Sequence, residues 1–573
     1  MPPDERQYRL EANSLRDPSE LMQPERLGAL KQTRLSFARL LIRKMVRERW
    51  EIDLLEMDVD GDGNGRAVYS IETPTHRFTF AVQSRKSNDA ADTDRIIADT
   101  WDMETFLSEG TASEEFIESQ FEELPKVREG RATPDVLIWS RANRSSRFFD
   151  HIVDSLTEGH QPDIEYLSQG GYLTRSSGYY GNGLNGTKVF AALDDDHPLK
   201  RPFMAQMLAV YMLRVFGYDL ADAMAEARNP DAVTLSNDIK RYLGTGNSSG
   251  VGIILYLINH PQFVNSWIRA REVALARAKN TDPTDADVER FRELVANAAA
   301  WFDEDESDTE RFFLGKDRIA EGLTETIEQV DALQSEGGND GLWTRLSEWA
   351  DATLEPEIQE VLHALLIDVH HEVTRGLEDS LTTAETSDVK PEMSVAELTS
   401  LVTSSYQWAL DFDLSRPGAQ HYLWYRSIES EEPRIGVREE HEYEEYELSA
   451  DVVRQVQELH EALQATPGAD SVAEFLFDHP EHREIVERVQ TVHNLPYSEI
   501  RANPLDEEFV PLTYISCLKA IWGIQKAHPK SIGWVRGTFF QGAPIREELR
   551  EGAESYWAYP TRPERADHWR EEA

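Results

Sequence analysis

The sequence predicts an α+β protein that is predominantly helical, a small N-terminal β-meander/α unit followed by a large helical region. Three segments with strand periodicity, EIDLLEMDV, RAVYSIE and RFTFAV, follow one another from residue 51, separated by DGDGNG and by Thr73-Pro74-Thr75. Beyond residue 160 the apolar residues recur with helical period, most strongly in AQMLAVYMLRVFGYDLADAMAEA. With 573 residues, 40% of them hydrophobic, the chain has material for about three to four domains at ~150 residues each.

Taken in order, residues 29–49 read as a helix with an apolar stripe of Leu35, Leu40, Leu41, Met45 and Val46. The three meander strands follow. An acidic helix spans about 113–124, and PDVLIW at 134–139 reads as a buried strand that passes through Ser140 into a helix, RANRSSRFFDHIVDSL. The long helix at 205–227 comes next, then a helical stretch at 249–279 in which Pro261 opens a new helix after a break. Helices near 395–411, 450–465 and 469–492, an acidic run at 429–447 and a strand WVRGTFF at 534–540 complete the chain. Acidic, apolar-poor stretches at 302–310 and 376–393 mark boundaries. The division is therefore 1–160 (α+β unit with basic helix), 161–375 (helical, with glycine-rich loops) and 394–573 (mainly helical).

The charge is lopsided. The chain carries 105 Asp+Glu against 59 Lys+Arg, a net charge of −46, and only 13 of the cations are lysine. Acid spread over the whole length with little lysine is the composition of a halophilic, salt-loaded cytosol, where repulsion is screened within ~3 Å. It disfavours nucleic acid as a partner, because the counterion-release term is the one that salt weakens most. The lone Cys517 cannot form an intrachain disulfide and excludes cysteine-rich metal sites. No apolar run approaches ~18 residues, so no integral membrane segment is expected, and the N-terminus lacks the pattern of a secretion signal. These readings place the protein in the cytoplasm.

Several segments could carry chemistry. DVDGDGNG puts Asp58, Asp60 and Asp62 at the first ligand positions of a calcium loop, but Tyr69 stands where a bidentate glutamate is needed, so a hairpin turn is expected. In GTGNSSGVG at 244–252, Gly246, Asn247, Ser248 and Ser249 precede an apolar helix, IILYLI, whose N-terminus could receive a phosphate or carboxylate or simply be capped by those side chains. GYYGNGLNGTK at 178–188 offers Tyr180 and Asn182 on a glycine-hinged loop, as a ligand lid or as ordinary turns. SRANRSSR at 140–147 would place Arg141, Arg144 and Arg147 on one side of a helix, with Asn143 as neutral donor, for an anion or for internal ion pairs. Residues 31–49 hold seven cations and one acid, Glu48, a basic edge suited to an acidic neighbouring domain or subunit, an anionic membrane surface or RNA. His363, His370 and His371, and separately His479 and His482, are spaced for a metal, but neither set is H-E-x-x-H, and no metal site is assigned. Lys519, near Cys517 in an apolar helix, is read as snorkelling or as functional.

These residues predict an enzyme of small-molecule metabolism that recognises a carboxylate or phosphate through Arg141, Asn143, Arg144, Arg147, Tyr180, Asn182, Gly246, Asn247, Ser248 and Ser249. The reading requires convergence: more than ~15 Å between Arg144 and Asn247 excludes a shared pocket. The alternative is a non-catalytic helical scaffold that docks an acidic partner, or a second copy of itself, through the basic helix. Cofactor, reaction and acid–base residue are unassigned.

Overall fold

The computed structural model describes residues 15–27, 29–86, 101–123, 136–145, 147–180, 193–247, 260–304, 314–381, 389–415, 424–427, 433–435, 447–449, 452–500, 515–531, 534–552 and 556–563. Its centre is a nine-stranded mixed sheet, which corrects the expectation of a small N-terminal β unit. The strands are β1 (Glu51–Val59), β2 (Gly65–Glu72), β3 (Arg77–Ser84), β4 (Met103–Glu109), β5 (Val136–Arg144), β6 (Tyr172–Tyr180) and β7 (Gly244–Asn247). A separate three-stranded sheet, β8 (Trp424–Ser427), β9 (Pro433–Ile435) and β10 (Glu447–Ser449), frames the acidic run. The large sheet resumes with β11 (Ile524–Ser531) and β12 (Trp534–Phe539). Its spatial order is β1-β2-β3-β4-β5-β6-β7-β12-β11, so it draws strands from all three stretches into which the sequence divides. All pairings are antiparallel except β6 with β7.

The meander forms as its turns dictate. Between β1 and β2 the Asp60 carboxylate accepts from the Asp62 and Asn64 N–H groups at 2.9 and 2.8 Å, and Gly63 takes φ +77°, the left-handed region that suits glycine. This is the hairpin expected of DVDGDGNG. Between β2 and β3, Thr73 Oγ1 accepts from His76 N–H at 2.8 Å.

One face of the sheet packs on a 25-residue helix, α1 (Met204–Arg228), buried on nearly every side of its first five turns. Gly217 permits the approach: a Cβ there would lie 2.6 Å from Leu173 Cδ1 and 2.9 Å from Thr174 Cγ2 of β6. Arg214 on the same helix is fully buried and donates to five backbone carbonyls, those of Lys240, Arg241 and Leu243 before β7 and of Ala543 and Pro544 after β12, at 2.7–3.0 Å. Nε and Nη1 make one contact each and Nη2 shares its two N–H groups among three carbonyls, and together they staple the entry of β7 to the exit of β12. The opposite face between β2 and β5 is covered by the Glu114–Glu123 helix through Phe116, Ile117 and Phe121.

The remaining helices share one continuous core with the sheet. Among them are α2 (Pro261–Lys279), Asp285–Glu304, Lys316–Gly337, Leu342–Thr353 and α3 (Pro356–Val369). The basic helix runs over Phe37–Glu48 and is buried between these layers rather than displayed. Phe37 meets Phe203, Phe263 and Trp522 at centroid distances of 5.0–5.8 Å. Arg39 pairs with Asp368 of α3 at 2.6 Å, Arg34 donates to the Asp368 carbonyl at 2.9 Å, Lys31 pairs with Glu357 at 3.3 Å and Arg43 with Glu378 at 3.4 Å.

Candidate functional site

The residues proposed for an anion site divide between the two faces of the sheet. The reading of residues 141–147 as helix is corrected: β5 continues through Arg144, and the helix begins at Phe149. Successive strand residues point to opposite faces, so Arg141 and Arg144 cannot act together. Arg144 faces α1 and is taken up by the hairpin turn, donating to the carbonyls of Asp62 and Gly63 at 2.8 and 2.7 Å and to Ser84 Oγ at 3.2 Å. Burial lowers its pKa. Arg147 is exposed, with its guanidinium over the Phe148 ring at 5.2 Å.

The first part of the glycine segment is also a strand. Gly244–Asn247 is strand β7, where no strand was expected, and it lies between β6 and β12. Its glycines are demanded by packing. A Cβ on Gly244 would stand 2.3 Å from the Phe539 carbonyl oxygen. The IILYLI segment, Ser248, Ser249 and Asn182 fall outside the described residues, as does the stretch 181–188 of the segment 178–188 expected as a lid. Tyr180 pairs with Trp139 at the far end of β6, about 17 Å along the strand from Arg175. Arg144 and Asn247 stand two strands apart, about 12 Å by strand spacing and offset, with the Arg144 side chain directed to the α1 face.

A different set converges on the face away from α1. Asn143 of β5 lies in register with Arg175 of β6, Arg175 with Gly246 of β7, Gly246 with Thr538 of β12, and Thr538 with Lys526 of β11. Residues paired across a sheet project to one side, so five adjacent strands present one row. Two contacts fix its face. Thr245, the neighbour of Gly246, directs its hydroxyl to the Val210 carbonyl of α1 at 3.4 Å. A Cβ on Gly246 would instead come within 3.2 Å of Arg175 Cγ and 3.0 Å of Tyr172 Cδ2. The space that Gly246 leaves open is where Arg175 and Tyr172 lie.

The row is cationic and largely shielded from solvent. Arg175 is 9% exposed, Lys526 7% and Arg141, on the same side of β5, 3%. The Lys526 ammonium donates to the Ser168 carbonyl at 3.2 Å, with no carboxylate in ion-pair range among the described residues. The Arg141 guanidinium lies 5.7 Å from the Trp101 ring centroid. Asn143 Oδ1 accepts from Asp102 N–H at 2.9 Å, which turns its amide N–H₂ away from β4. Three strand spacings separate Arg175 from Lys526, about 14 Å between main chains; the Arg175 guanidinium donates to the Arg144 carbonyl of β5 at 3.5 Å, and the Tyr172 ring lies beside Gly246. Arg175 and Lys526 escape sequence reasoning because 350 residues lie between them and neither sits in a marked motif.

The histidine sets behave differently from one another. His370 Nε2 accepts from Trp343 Nε1 at 2.8 Å, His371 is exposed, and His363 is buried with both ring nitrogens unpartnered, so these three do not converge. His479 and His482 do flank Glu481 in a surface turn. Cys517 is buried, which pushes its thiol up to about 12 and leaves it inert as a nucleophile near neutral pH. Lys519 is buried, its ammonium 5.7 Å from the Trp301 ring centroid. No helix among the described residues is long and apolar enough to cross a membrane. No family of known proteins, no curated protein and no solved structure matches the chain.

Proposed function

We propose that the chain is an enzyme of small-molecule metabolism in a salt-loaded cytoplasm that recognises a carboxylate or phosphate at the outer face of β5, β6, β7, β12 and β11. Arg175 and Lys526 bind the anion from opposite sides, and Arg141 and Asn143 extend the donor row toward β5. The observation that carries this reading is the register Asn143–Arg175–Gly246–Thr538–Lys526, which collects shielded cations in a chain of net charge −46.

The scaffold alternative needs a displayed basic helix. Arg34, Arg39, Arg43 and Lys31 are instead engaged with Asp368, Glu378 and Glu357 of the same chain. The test is a thermal-shift screen in high KCl against phosphorylated metabolites, di- and tricarboxylates, acyl-CoAs and nucleotides. The reading expects saturable stabilisation by one anionic class that is lost in Arg175→Met and in Lys526→Met. A flat screen from folded protein, or a shift that both variants retain, overturns it.

A further inference from the structure

At the end of the sheet remote from the cationic row, three side chains from three separate elements aim their donor atoms at one point. His76 closes the β2–β3 turn, Glu109 ends β4, and His197 lies in the segment that leads into α1. Glu109 Oε1 is 3.8 Å from His76 Nε2 and 3.7 Å from His197 Nε2, and all three donor atoms lie within 4.8 Å of one another. The two imidazoles meet edge to face at a centroid distance of 4.6 Å.

We propose that His76, Glu109 and His197 form a binding site for a divalent transition-metal ion of the Zn²⁺ or Co²⁺ type. Four observations converge on it. His197 is 6% exposed, and its Nε2, aimed into the cluster, has no hydrogen-bond partner among the described residues. That is an expensive state for a buried ring nitrogen, and it ends when the nitrogen gains a ligand. His76 is oriented from behind by a 2.8 Å contact between its Nδ1 and Thr75 Oγ1, the kind of outer contact that fixes a metal-binding imidazole. Asp194 and Asp196 add negative potential at His197. Two imidazoles and one carboxylate are a borderline donor set that leaves a fourth position for water or substrate.

The two nitrogen–carboxylate separations, 3.8 and 3.7 Å, are a few tenths of an ångström wider than the edge of a tetrahedron with bonds of ~2.0–2.1 Å, so binding draws these groups together. One contact opposes it. Leu199 N–H donates to His197 Nδ1 at 3.1 Å, which puts the proton of the neutral ring on Nε2. The metal-bound ring carries its proton on Nδ1, so binding exchanges one neutral hydrogen bond for a coordinate bond.

The experiment is a Co²⁺ titration of the chelator-stripped full chain in high KCl, followed by visible absorption and by calorimetry. It is run in a His479→Ala/His482→Ala background that removes the surface turn from competition. The proposal expects one equivalent of Co²⁺, the intense d–d bands of a four-coordinate site, and displacement by Zn²⁺. His76→Ala, at a half-buried position that leaves the fold intact, should weaken binding by more than about tenfold. Glu109→Gln, at an exposed position, should shift the band pattern. Absence of stoichiometric binding in the background protein overturns the proposal, as does binding whose spectrum and affinity His76→Ala and Glu109→Gln both leave unchanged.

Discussion

Arg175 of β6 stands directly across from Gly246 of β7, so close that a Cβ at position 246 would lie 3.2 Å from Arg175 Cγ. The glycine therefore leaves room for the Arg175 stem, whose guanidinium donates to the Arg144 carbonyl at 3.5 Å. Gly246→Ala is expected to push Arg175 and Tyr172 aside, costing about 1–3 kcal/mol as overpacking does. Affinity for the anion should fall by more than that stability change alone explains. Calorimetry of the variant, with a denaturant melt alongside, separates the two effects; unchanged affinity would detach Gly246 from the site.

The ion pair between Arg39 and Asp368 predicts a larger stability effect. Both side chains are almost fully buried, and Arg34 also reaches Asp368. Asp368→Ala leaves two guanidiniums inside the protein without their carboxylate, which typically costs 3–5 kcal/mol (about the range seen when one partner of a buried pair is removed). Urea unfolding should show the unfolding free energy falling by that amount, whereas Arg47→Ala, whose side chain is 64% exposed, should change stability by under about 0.5 kcal/mol.

Acid should unfold the protein through Glu360. This carboxylate is fully buried on α3 and pairs with Arg16 and Arg271 at 2.5 and 2.7 Å. Burial alone would raise its pKa, but the Arg16 and Arg271 charges outweigh it and hold the group down to about 2. A folded-state pKa below the unfolded value of 4.5 contributes stability that is complete above pH 4.5 and is lost as the pH falls toward 2. Glu360→Gln should be destabilised at neutral pH and show a flatter stability profile between pH 4.5 and 2, measured by melting temperature across that range.

His363 also costs stability on acidification, from a higher pH, but its substitution is expected to stabilise. Burial lowers its pKa well below 6.5, and neither ring nitrogen has a partner. The unfolded chain protonates at 6.5 while the folded ring stays neutral, so stability from this group is complete above pH 6.5 and declines below it. His363→Leu removes an unsatisfied polar ring and is expected to stabilise by about 1–3 kcal/mol at pH 8. The gain should grow by up to about 1.4 kcal/mol per unit below pH 6.5. Equal melting temperatures of the two proteins at pH 5 would contradict this.

How much of this was legible follows from where each signal lives. The meander strands β1 to β3, the long helix α1 and the strand at Trp534–Phe539 carry their own periodicity and turn chemistry, and the structure has them where the sequence reading puts them. The continuation of β5 through Arg144 was not legible, because an arginine-rich stretch looks like a helix surface until the carbonyls of Asp62 and Gly63 and the Trp101 ring receive its guanidiniums. Strand β7 is four residues of GTGN with little intrinsic strand preference; it exists because β6 and β12 capture it from both sides. The acidic partner expected for the basic helix is Asp368, more than 300 residues away in the same chain. A nine-stranded sheet assembled from such distant pieces leaves no local trace, and neither does the row it creates.

The most direct measurement is the anomalous scattering of tungstate in crystals grown from high KCl. The account predicts a peak above Gly246 within about 4 Å of both the Arg175 guanidinium and the Lys526 ammonium, an ordinary distance for a charge-assisted contact. That peak should disappear in Arg175→Met. Tungstate bound only elsewhere, or a peak over Gly246 that survives the substitution, would contradict the claim that this cross-strand row binds the protein's anionic ligand.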